Sequence, residues 1–243
     1  MNNTVEAVRL DIGGGLQGVY ARPGSAGPHP ALLIFTEAYG LNTHFEQLVR
    51  RLAAAGYCTL VPDLYRGDVY DYSDVDSARA RLRLLRDAAA MEDTGRALDF
   101  LAARKEVDQA RIAVLGFCMG GRLAFLAHGT YPTRLRAAAC FYGGGIAPER
   151  DPLDRPALLD QAPRMQGPLL LIYGAEDGSI APEEHGRVAT ALSAAGRRYT
   201  LAVFPEAGHG FFCDARPSYR PAPAAEAWTL LLEFLSHALN TSQ

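Results

Sequence analysis

Apolar and polar positions along the chain follow two spacings that take turns. The segments 5–12 and 16–22 alternate in character on either side of Gly13, Gly14 and Gly15, which predicts an opening β-hairpin. Segment 31–36 is a short continuous apolar run, as expected of a strand buried on both faces. Phe45, Leu48, Val49 and Leu52 then recur at helical spacing, and this helix stops at Gly56. A strand over 57–61 is closed by Pro62. The stretch from about 73 to 105, dense in arginine and alanine, reads as helical in more than one piece. Strands follow at 112–117, 137–142, 168–173 and 198–204, with helices at 121–129, 182–195 and 223–238. The longest irregular connection, 143–167, holds prolines at 148, 152, 156 and 163 and reads as a surface excursion, because the strand pattern resumes beyond it. Strands alternating with helices after a hairpin imply an α/β protein: a mostly parallel, eight-stranded sheet with helices on both faces.

Composition narrows this picture. With 243 residues and 49% hydrophobic content, the chain can bury one large core, so a single domain over 1–243 is expected. Its 24 basic and 27 acidic side chains leave a net charge of −3, with no basic stripe to bind nucleic acid. No apolar run approaches the 18 residues of a membrane span, and the first ten residues lack the layout of a secretion signal. A soluble, cytoplasmic protein is expected, as a monomer or small homo-oligomer. None of the four cysteines forms a Cys-x-x-Cys pair, which argues against a metal centre or a dithiol redox site. Cys58 and Cys140 lie inside apolar strand runs and read as small buried hydrophobes.

Cys118 has a different context. The run Gly116-Phe117-Cys118-Met119-Gly120-Gly121 joins a predicted strand to a predicted helix. That is a Gly-x-nucleophile-x-Gly elbow with cysteine at the nucleophile position. Small neighbours suit the tight turn, and the positive end of the following helix favours thiolate over thiol. In open α/β sheets ligands bind past the carboxyl ends of the strands. His209, between two glycines after strand 198–204, is placed to serve as base. Asp177, after strand 168–173, is placed to orient it, with Glu176 as its rival. The order nucleophile, acid, histidine is that of α/β-hydrolases. After strand 31–36 comes Thr36-Glu37-Ala38-Tyr39-Gly40. A tetrahedral oxyanion needs two N–H donors, and Met119 and Ala38 are the candidates. Glu37 reads either as a surface carboxylate or as a charge that sets the protonation of Cys118. His44, in the same loop, is a further candidate for the pocket border.

Taken together, these residues resemble the dienelactone hydrolases (carboxymethylenebutenolidases) of the α/β-hydrolase superfamily. The likeness runs through Phe-Thr-Glu37-Ala-Tyr-Gly, Val61-Pro-Asp-Leu-Tyr65, Gly-Phe-Cys118-Met-Gly-Gly, Phe-Tyr-Gly143, Gly-Ala-Glu-Asp177 and Gly-His209-Gly-Phe-Phe. It implies a fold without a large cap domain, a Cys118–His209–Asp177 triad and no cofactor. It also implies that Glu37 keeps the thiol quiet until substrate displaces it. Family members acting on dienelactone clamp its carboxylate with two arginines, a serine after the catalytic histidine and a tyrosine. Here the first arginine falls on Arg79, with Arg81 close behind. The second falls on Cys213, with Arg216 the nearest substitute. The serine is Gly210, and the tyrosine position is Phe141 with Tyr142 following. Three of the four contacts are therefore altered.

The expected function is hydrolysis of small lactones or activated esters through a thioester acyl-enzyme, since their leaving groups compete well with a thiolate. Amides, whose nitrogen must first be protonated, are poor candidates. The alternatives are a broad carboxylesterase or thioesterase, a non-catalytic small-molecule binder on a hydrolase fold, and a redox role for Cys118 with Cys213 resolving.

Overall fold

In the computed structural model, which describes residues 5–240, β1 (Ala7–Gly13) and β2 (Leu16–Ala21) form the opening hairpin. The first four residues, on which part of the secretion-signal reading rests, lie outside the described ones. The later strands are β3 (His29–Phe35), β4 (Cys58–Pro62), β5 (Val107–Phe117), β6 (Ala137–Phe141), β7 (Leu169–Gly174) and β8 (Tyr199–Phe204). They build one sheet in the order β1-β2-β4-β3-β5-β6-β7-β8. Only the pairings of β2 with β1 and β4 are antiparallel. The five parallel pairings from β4 to β8 bring the carboxyl ends of six strands to one rim.

The topology decides which helix covers which face. The link from β3 to β4 runs through α1 (Thr43–Ala54) in one direction along the sheet. The links through α2 (Val75–Leu84) and α3 (Asp87–Ala102), through α4 (Met119–Thr130) and through α5 (Pro182–Ala194) run in the other. Right-handed crossovers therefore put α1 on the face opposite the rest. The final helix, α6 (Pro221–Asn240), joins α1, where the Arg51 guanidinium lies 3.6 Å from the centre of the Trp228 ring.

Some boundaries depart from the pattern. β5 starts five residues earlier than its apolar run, because Asp108, Gln109 and Ala110 extend the strand without being buried. The arginine-rich stretch is two helices, separated where Leu85 and Arg86 take extended backbone. The 143–167 connection is less of a surface excursion than expected: Ile146, Ala147, Leu158, Ala162 and Met165 are all buried, and Leu159–Arg164 is a 3₁₀ helix. A buried cation holds that connection down. Arg122, in the first turn of α4, is bidentate to Asp87 at 2.6 and 2.9 Å. It also donates to the carbonyls of Gly145 and Pro156, both at 3.0 Å. A guanidinium so enclosed must have its donors met, and these bonds meet four of its five N–H groups.

Candidate active site

Backbone sterics create the turn at Cys118, which sits at φ 55°, ψ −117°. A non-glycine residue at positive φ is strained, and it persists only where its surroundings hold it there. Here the hold is close packing of main chain on main chain. A Cβ at Gly116 would lie 1.8 Å from the Gly120 carbonyl oxygen, and one at Gly120 would lie 2.3 Å from that of Phe35. The Cys118 N–H donates to the Phe141 carbonyl at 3.0 Å, and the Gly120 N–H donates to that of Thr36 at 3.1 Å. The second bond lays the β3–α1 loop across the elbow. Among the described residues, neither the Met119 nor the Ala38 N–H donates to another protein group, so both stay available on the two sides of this junction.

Two loops at the same rim meet beside the sulfur. The Ala175 N–H donates to the Phe204 carbonyl at 2.8 Å, and the Glu176 N–H to that of Ala207 at 2.9 Å, which stitches the loop after β7 to the loop after β8. Asp177, its side chain wholly buried, accepts from the Ser179 N–H at 2.8 Å on one oxygen. Its other oxygen lies 2.8 Å from His209 Nδ1. Glu176 is exposed, so of the two acidic neighbours Asp177 meets the imidazole. Cys118 lies close enough to His209 for each to shift the other's proton. Burial alone would lower the His209 pKa, but the Cys118 charge and the bond to Asp177 push it up to about 10. Burial alone would raise the Cys118 pKa. The imidazolium outweighs that and holds the thiol below its ordinary value, while the Glu37 charge opposes it. The arrangement favours a thiolate–imidazolium pair.

Glu37 is no surface carboxylate: it is fully buried. Its Oε1 accepts from the Tyr142 hydroxyl at 3.1 Å and from Arg216 Nη1 at 3.3 Å, while its Oε2 has no hydrogen-bond partner. A buried carboxylate oxygen without a donor is costly, and this one sits close enough to Cys118 to influence its proton. Arg216 reaches Glu37 through the space over Gly210, where a Cβ would lie 2.2 Å from Nη1. Tyr39 and Tyr72 flank the same guanidinium, their ring centres 5.5 and 5.6 Å from its Cζ.

The expected substrate contacts scatter. Phe141 does not face the site; its ring packs into the core between Phe117 and Phe212, because alternation along β6 sends it to the face opposite the sulfur. Tyr142, one residue on, is the ring that meets Glu37 and lies edge-on to His209 at 5.2 Å. Arg81 is committed elsewhere: Nε pairs with Asp68 at 2.8 Å, Nη2 donates to the Tyr65 carbonyl at 3.1 Å, and the guanidinium stacks 4.3 Å over the Tyr65 ring. Tyr65 in turn donates to Met119 Sδ at 3.4 Å, so Arg81 braces the wall of the site. Arg79 is exposed, and its charge is felt at Tyr39. His44 pairs with Asp214 at 3.0 Å and lines a cavity of about 180 Å³ whose lining does not include Cys118.

Sequence reading passed over Tyr39 and Tyr72, and Asn42, which donates to the Tyr72 hydroxyl at 3.0 Å. The tyrosine-rich run 65–72 after β4 was the available signal, since β4 ends at the same rim as the other strands.

Comparison with known proteins gives the family. A model of the dienelactone hydrolase family matches residues 16–239. A protein of Methylorubrum extorquens named "putative carboxymethylenebutenolidase" is 33% identical over 222 residues, covering 88% of this chain and 74% of its own length. One of Escherichia coli K12 with the same name is 32% identical over 226 residues, covering 91% and 82%. A crystal structure from Klebsiella pneumoniae, titled as a putative dienelactone hydrolase, superposes with a TM-score of 0.88 at 32% identity, covering 96% of this chain and 99% of that one. A dienelactone hydrolase-like promiscuous phosphotriesterase from metagenomic libraries superposes at 0.79 with 27% identity, covering 97% and 98%.

Proposed function

This chain belongs to the dienelactone hydrolase family of hydrolases, and from that premise we propose that it cleaves small lactones and activated esters through a thioester on Cys118. The observation that carries the proposal is the contact chain Asp177–His209–Cys118 at the strand rim, with the acid 2.8 Å from the imidazole. In this reading the Cys118 sulfur attacks the substrate carbonyl, and the N–H groups of Met119 and Ala38 stabilise the oxyanion. His209 then protonates the leaving oxygen and, in the second half-reaction, removes a proton from the water that hydrolyses the thioester. Asp177 keeps the proton on Nδ1 and holds the ring in register. Glu37 raises the energy of the free thiolate, so the full nucleophile develops once a substrate disturbs the Glu37–Arg216 pair.

The altered carboxylate contacts favour a broad ester or lactone range over dienelactone itself. Gly210 has no hydroxyl, Phe141 is withdrawn into the core, and Arg216 is the basic group that reaches the site. A panel of neutral and carboxylate-bearing esters separates these ranges. Neutral esters are expected to be turned over at comparable kcat/KM. A strict requirement for a carboxylate would restore the narrower reading. Rapid mixing with a chromogenic ester should give a product burst stoichiometric with enzyme when deacylation is slow, and Cys118→Ala should lose both burst and turnover. Turnover that survives Cys118→Ala would refute the mechanism.

A further inference from the structure

Beside the catalytic rim, a second group of reactive side chains has no part in the chemistry above. His44, two residues into α1, pairs through Nδ1 with Asp214 Oδ1 at 3.0 Å. Cys213 is buried next to them, and one ligand atom from each of the three lies within 4.8 Å of the others. Among the described residues this is the only such group of three ligand-type side chains. The donor set is one thiol, one imidazole and one carboxylate, which is the nitrogen–sulfur–oxygen mixture a zinc-class ion selects.

We propose that His44, Cys213 and Asp214 form a binding site for one thiophilic divalent cation, of which Zn²⁺ is the type. Bonds of about 2.0 Å to nitrogen and oxygen and about 2.3 Å to sulfur require ligand atoms under roughly 4 Å apart. His44 and Asp214 already meet this at 3.0 Å, so the observed spread needs only a small approach of that pair and the Cys213 sulfur. The three residues give three ligands, and water from the adjoining cavity completes a tetrahedron. As the ion binds, the Cys213 thiol gives up its proton to solvent, the proton shared by His44 and Asp214 moves to the ring nitrogen that faces away from the ion, and the sulfur, the freed imidazole nitrogen and the Asp214 carboxylate take the metal.

The surroundings suit that exchange. Cys213 now donates to the Tyr72 hydroxyl oxygen at 3.2 Å, and Asn42 donates to the same oxygen at 3.0 Å. Once the sulfur is a thiolate, the Tyr72 O–H turns and donates to it while still accepting from Asn42. A metal-bound sulfur commonly has such an outer partner. Cysteine spacing could not reveal this site, because its histidine lies 170 residues from its aspartate and only the fold joins them. The ion would fasten the loop that carries His209 to the start of α1, adding to the His44–Asp214 pair that already joins them.

Cobalt titration tests the site in a Cys118→Ala background, which removes the catalytic sulfur as a rival ligand. The expected result is a near-ultraviolet thiolate-to-cobalt absorption saturating at one ion per chain and displaced by Zn²⁺. It should vanish in Cys118→Ala/Cys213→Ser. In Cys118→Ala/His44→Ala the affinity should fall by about tenfold or more. Zn²⁺ should raise the thermal midpoint of Cys118→Ala and raise that of the His44 variant less. Absence of the thiolate band in Cys118→Ala overturns the proposal, as does a band unchanged by either second substitution. The Cys118→Ala titration alone decides the matter if a Cys213 variant fails to fold.

Discussion

At the scale of single residues, two charges bear on the proton of Cys118 from opposite sides. His209 pulls the thiol pKa down and Glu37 pushes it up. Removing each should therefore move the acid limb of the kcat/KM profile in opposite directions. Glu37→Gln should shift it to lower pH, and faster iodoacetamide alkylation at neutral pH would register the change directly. His209→Ala should shift alkylation to higher pH, because burial and Glu37 are then opposed only by the more weakly acting Arg216. A Glu37→Gln profile displaced upward would contradict the assigned sign. The basic limb should follow His209 as it loses its proton near pH 10. Gly210 is the second residue-scale determinant. Its φ of +77° and its missing Cβ let Arg216 lie over it and reach Glu37. Gly210→Ser should expel that guanidinium and lower kcat/KM for carboxylate-bearing esters relative to neutral ones; an unchanged ratio would remove Arg216 from the substrate site. The residues of this centre were unevenly legible in the sequence. Cys118, Asp177 and His209 stand out because each follows a strand and carries a special neighbour. Phe141 and Tyr142 were both candidates, and a one-residue step along the strand turns only Tyr142 toward Glu37. Tyr72 and Cys213, 141 positions apart, meet only in space.

At the scale of elements, the elbow and the buried cation of α4 show how helices are fixed to the sheet. α4 follows Cys118 immediately, and its Gly120 and Gly121 let it lie on the main chain of β3 and β6. Farther along, Arg122 ties α4 to α3 through Asp87 and to the 143–167 connection through two carbonyls. Arg122→Met removes the donors while keeping much of the volume. It should cost about 3 kcal/mol, the low end for breaking a buried pair, because Asp87 retains some contact with water. Urea unfolding would measure it, and a loss below about 1 kcal/mol would demote the pair to a surface-like contribution. This brace was invisible in the pattern. An arginine amid an apolar helix reads as an exposed position, and its partners are 35 and 23 residues away. That the stretch from 73 to 105 divides was expected, but the place of the break was hidden, because it lies in a run without glycine or proline. By contrast, α1 announced itself through apolar spacing and its terminal glycine.

At the scale of the whole molecule, topology converts distant segments into one rim. Because β3 to β8 run parallel in a single sheet, the loops after β3, β4, β5, β6, β7 and β8 open at the same end and supply Glu37, Tyr72, Cys118, Tyr142, Asp177 and His209 in turn. That architecture was readable from alternation alone, since fully apolar strands alternating with helices leave few other arrangements. No helix among the described residues is long and apolar enough to cross a membrane. The central claim is that this rim transfers an acyl group to sulfur. The most direct measurement is to quench the protein in acid during turnover of an activated ester and map the adduct by peptide mass spectrometry. The account predicts one acyl group, carried by Cys118 and released by neutral hydroxylamine as a thioester. An unmodified Cys118 under conditions that accumulate any acyl-enzyme, or the acyl group found on another residue with turnover intact, would contradict it.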